Sequence, residues 1–176
     1  MRRMIKYFVS FCFVLMIFTG KNEKAFSQDS DYKAYALFLY NFMKYIEWPE
    51  PTGDFVVGVV GASPIQKEIF FLSENKKIKG RKIVLKVIND LEDTKICSMI
   101  YLPSSKSSLL KQITEKVKGK SVLIVAEREG LARKGAGISF TVDDNDTLKF
   151  DINKSVLDSQ SLKIANVLIQ LGIVVG

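Results

Sequence analysis

The stretch 55-FVVGVVGASPIQ-66 decides the fold. Phe55 to Val60 is a nearly continuous apolar run, the pattern of a strand buried on both faces. A helix opens directly behind it. Ser63 is a good N-cap, Pro64 suits the first helical position, and Gln66 completes a capping box. A doubly buried strand that passes through a short turn into a capped helix is one βα unit of a parallel sheet.

Reading toward the C-terminus, the helix runs to about Ser73. Strands are expected over Lys82–Ile88, Ile96–Leu102 and Val122–Ala126, with a helix over Ser107–Val117. Glu127–Gly137 is a glycine-containing loop with room for one helical turn. Ile138–Val142 and Leu148–Ile152 flank a polar turn and read as a hairpin. A final helix is expected from Lys154 to about Val174, capped by Asn153. Reading toward the N-terminus, Tyr35, Phe38, Leu39, Phe42 and Ile46 recur at helical spacing and predict a helix over Asp31–Trp48. It stops at Trp48-Pro49 because a residue before proline avoids the helical region. The whole predicts a three-layer α/β sandwich: a mostly parallel, Rossmann-like sheet, a C-terminal antiparallel hairpin at its edge, and helices on both faces.

The first 27 residues carry a different pattern. Arg2, Arg3 and Lys6 precede the apolar run Tyr7–Phe18, and a polar stretch ends in Ala25-Phe26-Ser27. That order is a cleavable secretory signal peptide, with the cut expected between Ser27 and Gln28. The alternative is an uncleaved anchor, although the apolar run of about 12 residues is short of the ~20 that span a bilayer. The expected organisation is therefore a leader over 1–27 and a single α/β domain over 28–176, exported to the periplasm.

Export changes how the composition reads. The full chain of 176 residues has a net charge of +7. Residues 1–27 hold five Lys/Arg and one Glu, which leaves 21 basic and 18 acidic residues and a net of +3. The remaining basic residues are scattered apart from Lys76, Lys77, Lys79, Arg81 and Lys82, which read as a solvated turn. No nucleic-acid partner is expected, because that needs a clustered basic face with stacking aromatics. The chain has no histidine, which removes Ser-His-Asp and Cys-His catalysis and histidine-based zinc sites. Cys97 is the one cysteine outside the leader. It is either buried as a small apolar residue or available to join two chains as a homodimer.

Two motifs have ordinary explanations. Gly58-Val59-Val60-Gly61 lies where a dinucleotide site would sit, but G-x-G-x-x-G is absent. Asp143-Asp144-Asn145-Asp146 lacks the spacing and late glutamate of a calcium loop and reads as a turn. No catalytic residue, cofactor or metal is expected. Ligands in open α/β sheets bind beyond the carboxyl ends of the strands, so Gly61, Ser63, Glu127, Arg128 and Arg133 are the candidate ligand-binding residues. In the first helix, Tyr40 lies roughly 100–200° around from Tyr35, Phe38 and Phe42. Tyr40, Tyr45 and Trp48 are accordingly the candidate partner-binding residues.

These residues together resemble the YfiR-like family, also called DUF4154. The matching features are Asn41-Phe42 and Tyr45 with Trp48-Pro49, Gly58-Val59-Val60-Gly61 with Ser63-Pro64, and Gly80-Arg81 before a strand. Further on come Cys97, Gly130, Gly135, Phe140, Phe150 with Ile152-Asn153, and the closing leucine-containing helix. The resemblance implies an exported regulator rather than an enzyme, one that restrains a membrane diguanylate cyclase by binding its periplasmic sensor region and so governs cyclic-di-GMP and biofilm formation. Some members carry disulfides that link folding to redox state. With Cys97 alone, that mechanism is closed within one molecule of this chain. The expected partner is a membrane signalling protein, a diguanylate cyclase or a sensor kinase. The alternative function is a periplasmic small-ligand-binding domain.

Overall fold

The computed structural model describes residues 23–49 and 52–176. The expected leader lies, up to residue 22, outside the described residues. The first element is helix α1 (Glu23–Tyr45), followed by strand β1 (Ile46–Glu47). Then come β2 (Phe55–Val60), α2 (Ile65–Asn75), β3 (Lys77–Ile78) and β4 (Arg81–Ile88). A 3-10 helix over Leu91–Ile96 leads into β5 (Met99–Leu102), and a second over Ser104–Leu109 leads into α3 (Leu110–Lys116). The chain closes with β6 (Leu123–Ala126), β7 (Ile138–Val142), β8 (Leu148–Ile152), α4 (Lys154–Ser159), β9 (Lys163–Ile164), α5 (Asn166–Leu171) and β10 (Ile173–Val174).

Eight strands form one sheet in the order β10-β8-β7-β6-β5-β2-β4-β3. The centre from β4 to β7 is parallel, as the βα pattern predicts. The β7–β8 hairpin is antiparallel, with Phe140 opposite Phe150. Helices cover both faces. One core joins α1 and α2 to Val57, Val59, Met99, Tyr101, Leu123 and Val125. The other joins α3 to Val60, Ile88, Cys97, Ile100, Leu102 and Ile124. This is the three-layer sandwich expected from the sequence.

Four local expectations are corrected. The first helix ends at Tyr45, not Trp48, because Ile46 and Glu47 pair with Ile164 and Lys163 as a small separate ladder. The strand expected from Ile96 begins at Met99. Asp90 accepts from the Glu92 N–H and caps a 3-10 turn that uses residues 91–96. Cys97 therefore precedes the strand, although it is buried there as anticipated. The helix expected over Ser107–Val117 is a 3-10 turn followed by α3.

The largest departure is the final helix. Asn153 caps it as expected, accepting from the Val156 N–H, but the helix ends at Ser159. Ser161 adopts φ +58, a conformation that interrupts a right-handed helix. Gly172 presses so close to the sheet that a Cβ there would lie 2.5 Å from Phe150 Cε2. The last segment then becomes β10, which pairs parallel to β8. The hairpin is therefore not the edge of the sheet, as the sequence suggests, but lies one strand inside it.

Candidate functional site

α1 and α2 run in the same direction across one face of the sheet. α1 passes the carboxyl ends of the strands at Tyr32, whose hydroxyl donates to Glu127 Oε1 at 3.2 Å. Past its far end, Trp48 Nε1 donates to the Ser98 carbonyl at 3.0 Å, ahead of β5. α2 leaves the carboxyl end of β2 and descends toward the start of β4.

The carboxyl edge holds the predicted ligand-binding residues. Glu127 follows β6, and its second oxygen accepts from the Ser104 N–H at 3.1 Å. Tyr101 is fully buried beside this carboxylate and makes no hydrogen bond among the described residues. Burial, and then the nearby Glu127 charge, pushes the Tyr101 phenol well above its ordinary pKa. The same two causes raise Tyr35. A phenol ionises less readily where water is excluded and a negative charge is close.

Gly61 turns the chain out of β2 with φ +69, a value suited to glycine. Lys106 lies across it, its Cε 2.9 Å from where a Cβ would stand. Ser63 sits at the expected helix start, where its carbonyl accepts from the Gln66 N–H at 3.1 Å. Its hydroxyl, however, is buried and makes no capping bond, and the Gln66 side chain bonds the Gly61 carbonyl instead. The reciprocal capping box read from the sequence is therefore not formed.

Arg133 belongs elsewhere. Its charge acts on Asp151 of β8, opposing the upward push that burial gives that carboxyl. Glu129 accepts from the Thr141 hydroxyl on β7, and Arg128 is exposed. From β2 to β8 is four strand spacings, about 19 Å along the sheet. The structure thus sets Gly61 and Ser63 at β2 apart from Arg133 near β8, with Glu127 after β6 midway between them, and does not gather the predicted residues at one point.

The predicted partner-binding residues also divide. Trp48 is tied into the fold by its Ser98 bond and by an edge-on contact with Phe55 at 4.9 Å. Beside it lies a cavity of about 90 Å³, lined in part by Met43, Ile78 and Arg81. This is far below the ~300–1,000 Å³ of ordinary ligand pockets. Tyr40 and Tyr45 lie nearer the surface, with the Lys44 ammonium over both rings at 5.6 and 4.9 Å.

The outer surface of this helical layer holds residues that the sequence reading missed. Phe70 and Phe71 are 58% and 61% exposed, and Leu37 on α1 is 62% exposed. Phe70 and Phe71 line a groove with Lys33 of α1 and with Lys67, Glu68, Glu74 and Asn75. Leu37 is one turn beyond Lys33 on the same helix face. The signal is in the run Ile69-Phe70-Phe71-Leu72. Successive helical residues are 100° apart, so four apolar neighbours cannot all face the sheet. Here Ile69 is buried and the two phenylalanines are not.

Among the described residues, no helix is long and apolar enough to cross a membrane, and no group of three or more His, Cys, Asp or Glu is placed to hold a metal. No curated protein matches the chain. The YfiR/HmsC-like (DUF4154) family model matches residues 32–173, from Tyr32 in α1 through Ile173, the first residue of β10. That span contains the whole sheet core and both helical layers, and the chain belongs to the YfiR/HmsC-like family, a family of periplasmic regulatory proteins.

Proposed function

We propose that this protein is exported through a leader over residues 1–27 and modulates the extracytoplasmic sensor region of a membrane signalling protein, a diguanylate cyclase by family resemblance. The observation that carries the reading is the apolar outer surface of the α1–α2 layer, with Leu37, Phe70 and Phe71 each more than half exposed. Clustered exposed apolar groups mark interaction sites on otherwise polar surfaces. Affinity recovery of the tagged, exported chain from membranes tests the reading. It should bring down a membrane signalling protein whose contact maps to its extracytoplasmic region. Recovery of no such protein under several mild detergents would overturn it. N-terminal sequencing of the exported form should begin at Gln28.

A second reading, small-ligand binding at the carboxyl edge near Gly61, Ser63 and Glu127, is favoured by the buried, unbonded hydroxyls of Ser63 and Tyr101. A ligand at 100 times its Kd adds ~2.7 kcal/mol of stability. A thermal-shift screen of periplasmic metabolites that gave a flat response would leave the regulatory reading alone.

A further inference from the structure

We infer that the outer edge of β4 takes up an extended segment of the regulated membrane protein as an added strand, with an acidic residue of that segment at Lys77 and Lys82. The inference rests on the regulatory reading above and specifies a further surface and the chemistry of its occupant.

Three observations lead to it. The first is the backbone. β4 has eight residues, but β3 covers its outer side only at Arg81 and Lys82. Beyond them β4 pairs with β2 alone. Successive residues of a strand turn their N–H and C=O groups to opposite sides. The Ile88 carbonyl accepts from the Gly61 N–H and so faces β2. Val84 and Lys86 face β2 with it, and Leu85 and Val87 turn their backbone groups outward, past the end of β3. Unpaired N–H and C=O groups in a row are a template for another strand, and peptides bind sheet edges in this way. The second is the exposed apolar surface. Val84 and Val87 lie on opposite faces of this edge and are 37% and 40% exposed. The third is charge. Lys77 and Lys82 stand directly opposite each other in the β3–β4 pair, where like charges destabilise. Neither has an ion-pair partner among the described residues. They line a cleft with Lys76, Ile83 and Val84, and Glu74 is the one acidic side chain lining it. Lys76 lies over the Tyr40 ring, and Lys86 further along pairs with Asp93 at 3.2 Å. Negative charge is therefore lacking at the β3 end of the open edge, and nowhere else along it. A second copy of β4 fits poorly. A two-fold register centred on Leu85 puts Ile88 of one copy where Lys77 of the other lies beside Lys82, and one centred on Lys86 sets two lysines face to face. The occupant is a foreign strand of about five residues, an ordinary strand length, with its acidic residue toward β3.

The test uses the whole exported chain and amide hydrogen exchange read by NMR. In the chain alone, the Leu85 and Val87 amides should exchange fast and those of Lys86 and Ile88 slowly. With the membrane protein recovered as above, the Leu85 and Val87 amides should become protected. A photo-reactive benzophenone amino acid at position 84 should then cross-link to an extended extracytoplasmic segment bearing Asp or Glu, mapped by mass spectrometry, and one at position 111 on the opposite layer should not. Val87→Pro removes one outward N–H at an edge position that tolerates proline. It should lower partner recovery about tenfold, while Val87→Thr retains it and both variants melt like the native chain. Lys82→Glu should lower recovery further than Lys82→Gln. Partner bound with the Leu85 and Val87 amides still fast would overturn the surface while leaving the regulatory reading intact. Protection of those amides that grows with the concentration of the chain alone would put a second copy there and overturn the occupant. Failure of the unsubstituted chain to recover any membrane protein would instead remove the regulatory reading on which the inference stands.

Discussion

The layer formed by α1 and α2 buries aromatic rings on its inner side and leaves Leu37, Phe70 and Phe71 on its outer side. The opposite layer, built on α3, buries aliphatic groups and Cys97, and turns Lys95, Lys111, Gln112 and Glu115 to water. Several of its outer charges are paired. Glu92 accepts hydrogen bonds from Lys116 and Lys95, which hold its carboxyl down at about 2. Ile96 and, on the same face of the sheet, Val84 are its large exposed apolar groups among the described residues. Both layers solve the same problem, covering one face of a parallel sheet. Only the α3 layer is finished toward solvent. The difference separates what the fold requires from what it leaves over, and the leftover apolar surface lies on the aromatic side.

The strongest way to break this comparison is inside the aromatic layer. Phe42 is fully buried and packs against Phe150 at 4.9 Å and against Phe38 and Phe140 at 6.1 Å. Phe42→Ala should cost about 3–5 kcal/mol in urea denaturation. A loss below about 1 kcal/mol, the scale of an ordinary surface change, would mean that the rings are not one packed unit. The corresponding test of the other layer adds volume instead of removing it. A Cβ on Gly58 would meet Ile88 Cδ1 at 2.4 Å and Cys97 Sγ at 2.7 Å. Gly58→Ala should destabilise by about 1–3 kcal/mol through overpacking. It should also speed thiol labelling of Cys97. Burial raises that thiol to about 11, so in the native protein it should label far more slowly than in urea.

Much of this arrangement is legible in the residues. Phe55–Val60 reads as a doubly buried strand because nothing along it is polar, and the sheet places it between β4 and β5. The end of the final helix is not legible, because the evidence for it is not local. Val156, Leu157, Leu168 and Leu171 keep helical spacing, and that periodicity does not reveal that Gly172 must touch Phe150 from another strand. Likewise, Trp48 leaves the helix because Ile46 pairs with Ile164, 118 positions later. Strand direction alone tells which edge of the sheet is the carboxyl edge, but Glu127 and Arg133 diverge along it because neighbouring loop residues attend to different strands. Tyr40 points to the aromatic helical layer, whereas the groove is written in the run Ile69–Leu72, whose four apolar neighbours exceed what one buried face can take.

A subtler contrast concerns charge within the sheet. Asp151 of β8 is buried, and burial raises its carboxyl above the ordinary value despite Arg133. The folded state then holds this proton more tightly than the unfolded chain. The associated stability is present below the unfolded carboxylate pKa and is lost as pH rises through the folded one. Asp151→Asn should therefore gain stability relative to the native protein as pH rises from about 4 toward neutrality. The two melting curves should converge in acid. A native protein that gained on the variant with rising pH would show that Arg133 outweighs burial.

The smallest stability effect belongs to the surface that matters most for the proposed function. Phe71 is 61% exposed on α2, so Phe71→Ser removes little buried area and should change stability by no more than about 0.5 kcal/mol. Phe42→Ala, on the inner side of the same layer, removes a ring of the same size at many times that cost. The pair isolates burial from chemistry, because the deleted group is nearly identical and only its surroundings differ. If Phe71→Ser proved as costly as Phe42→Ala in denaturation, the ring would belong to the core. The aromatic layer would then be finished toward solvent like its counterpart, with no apolar surface left over for a partner.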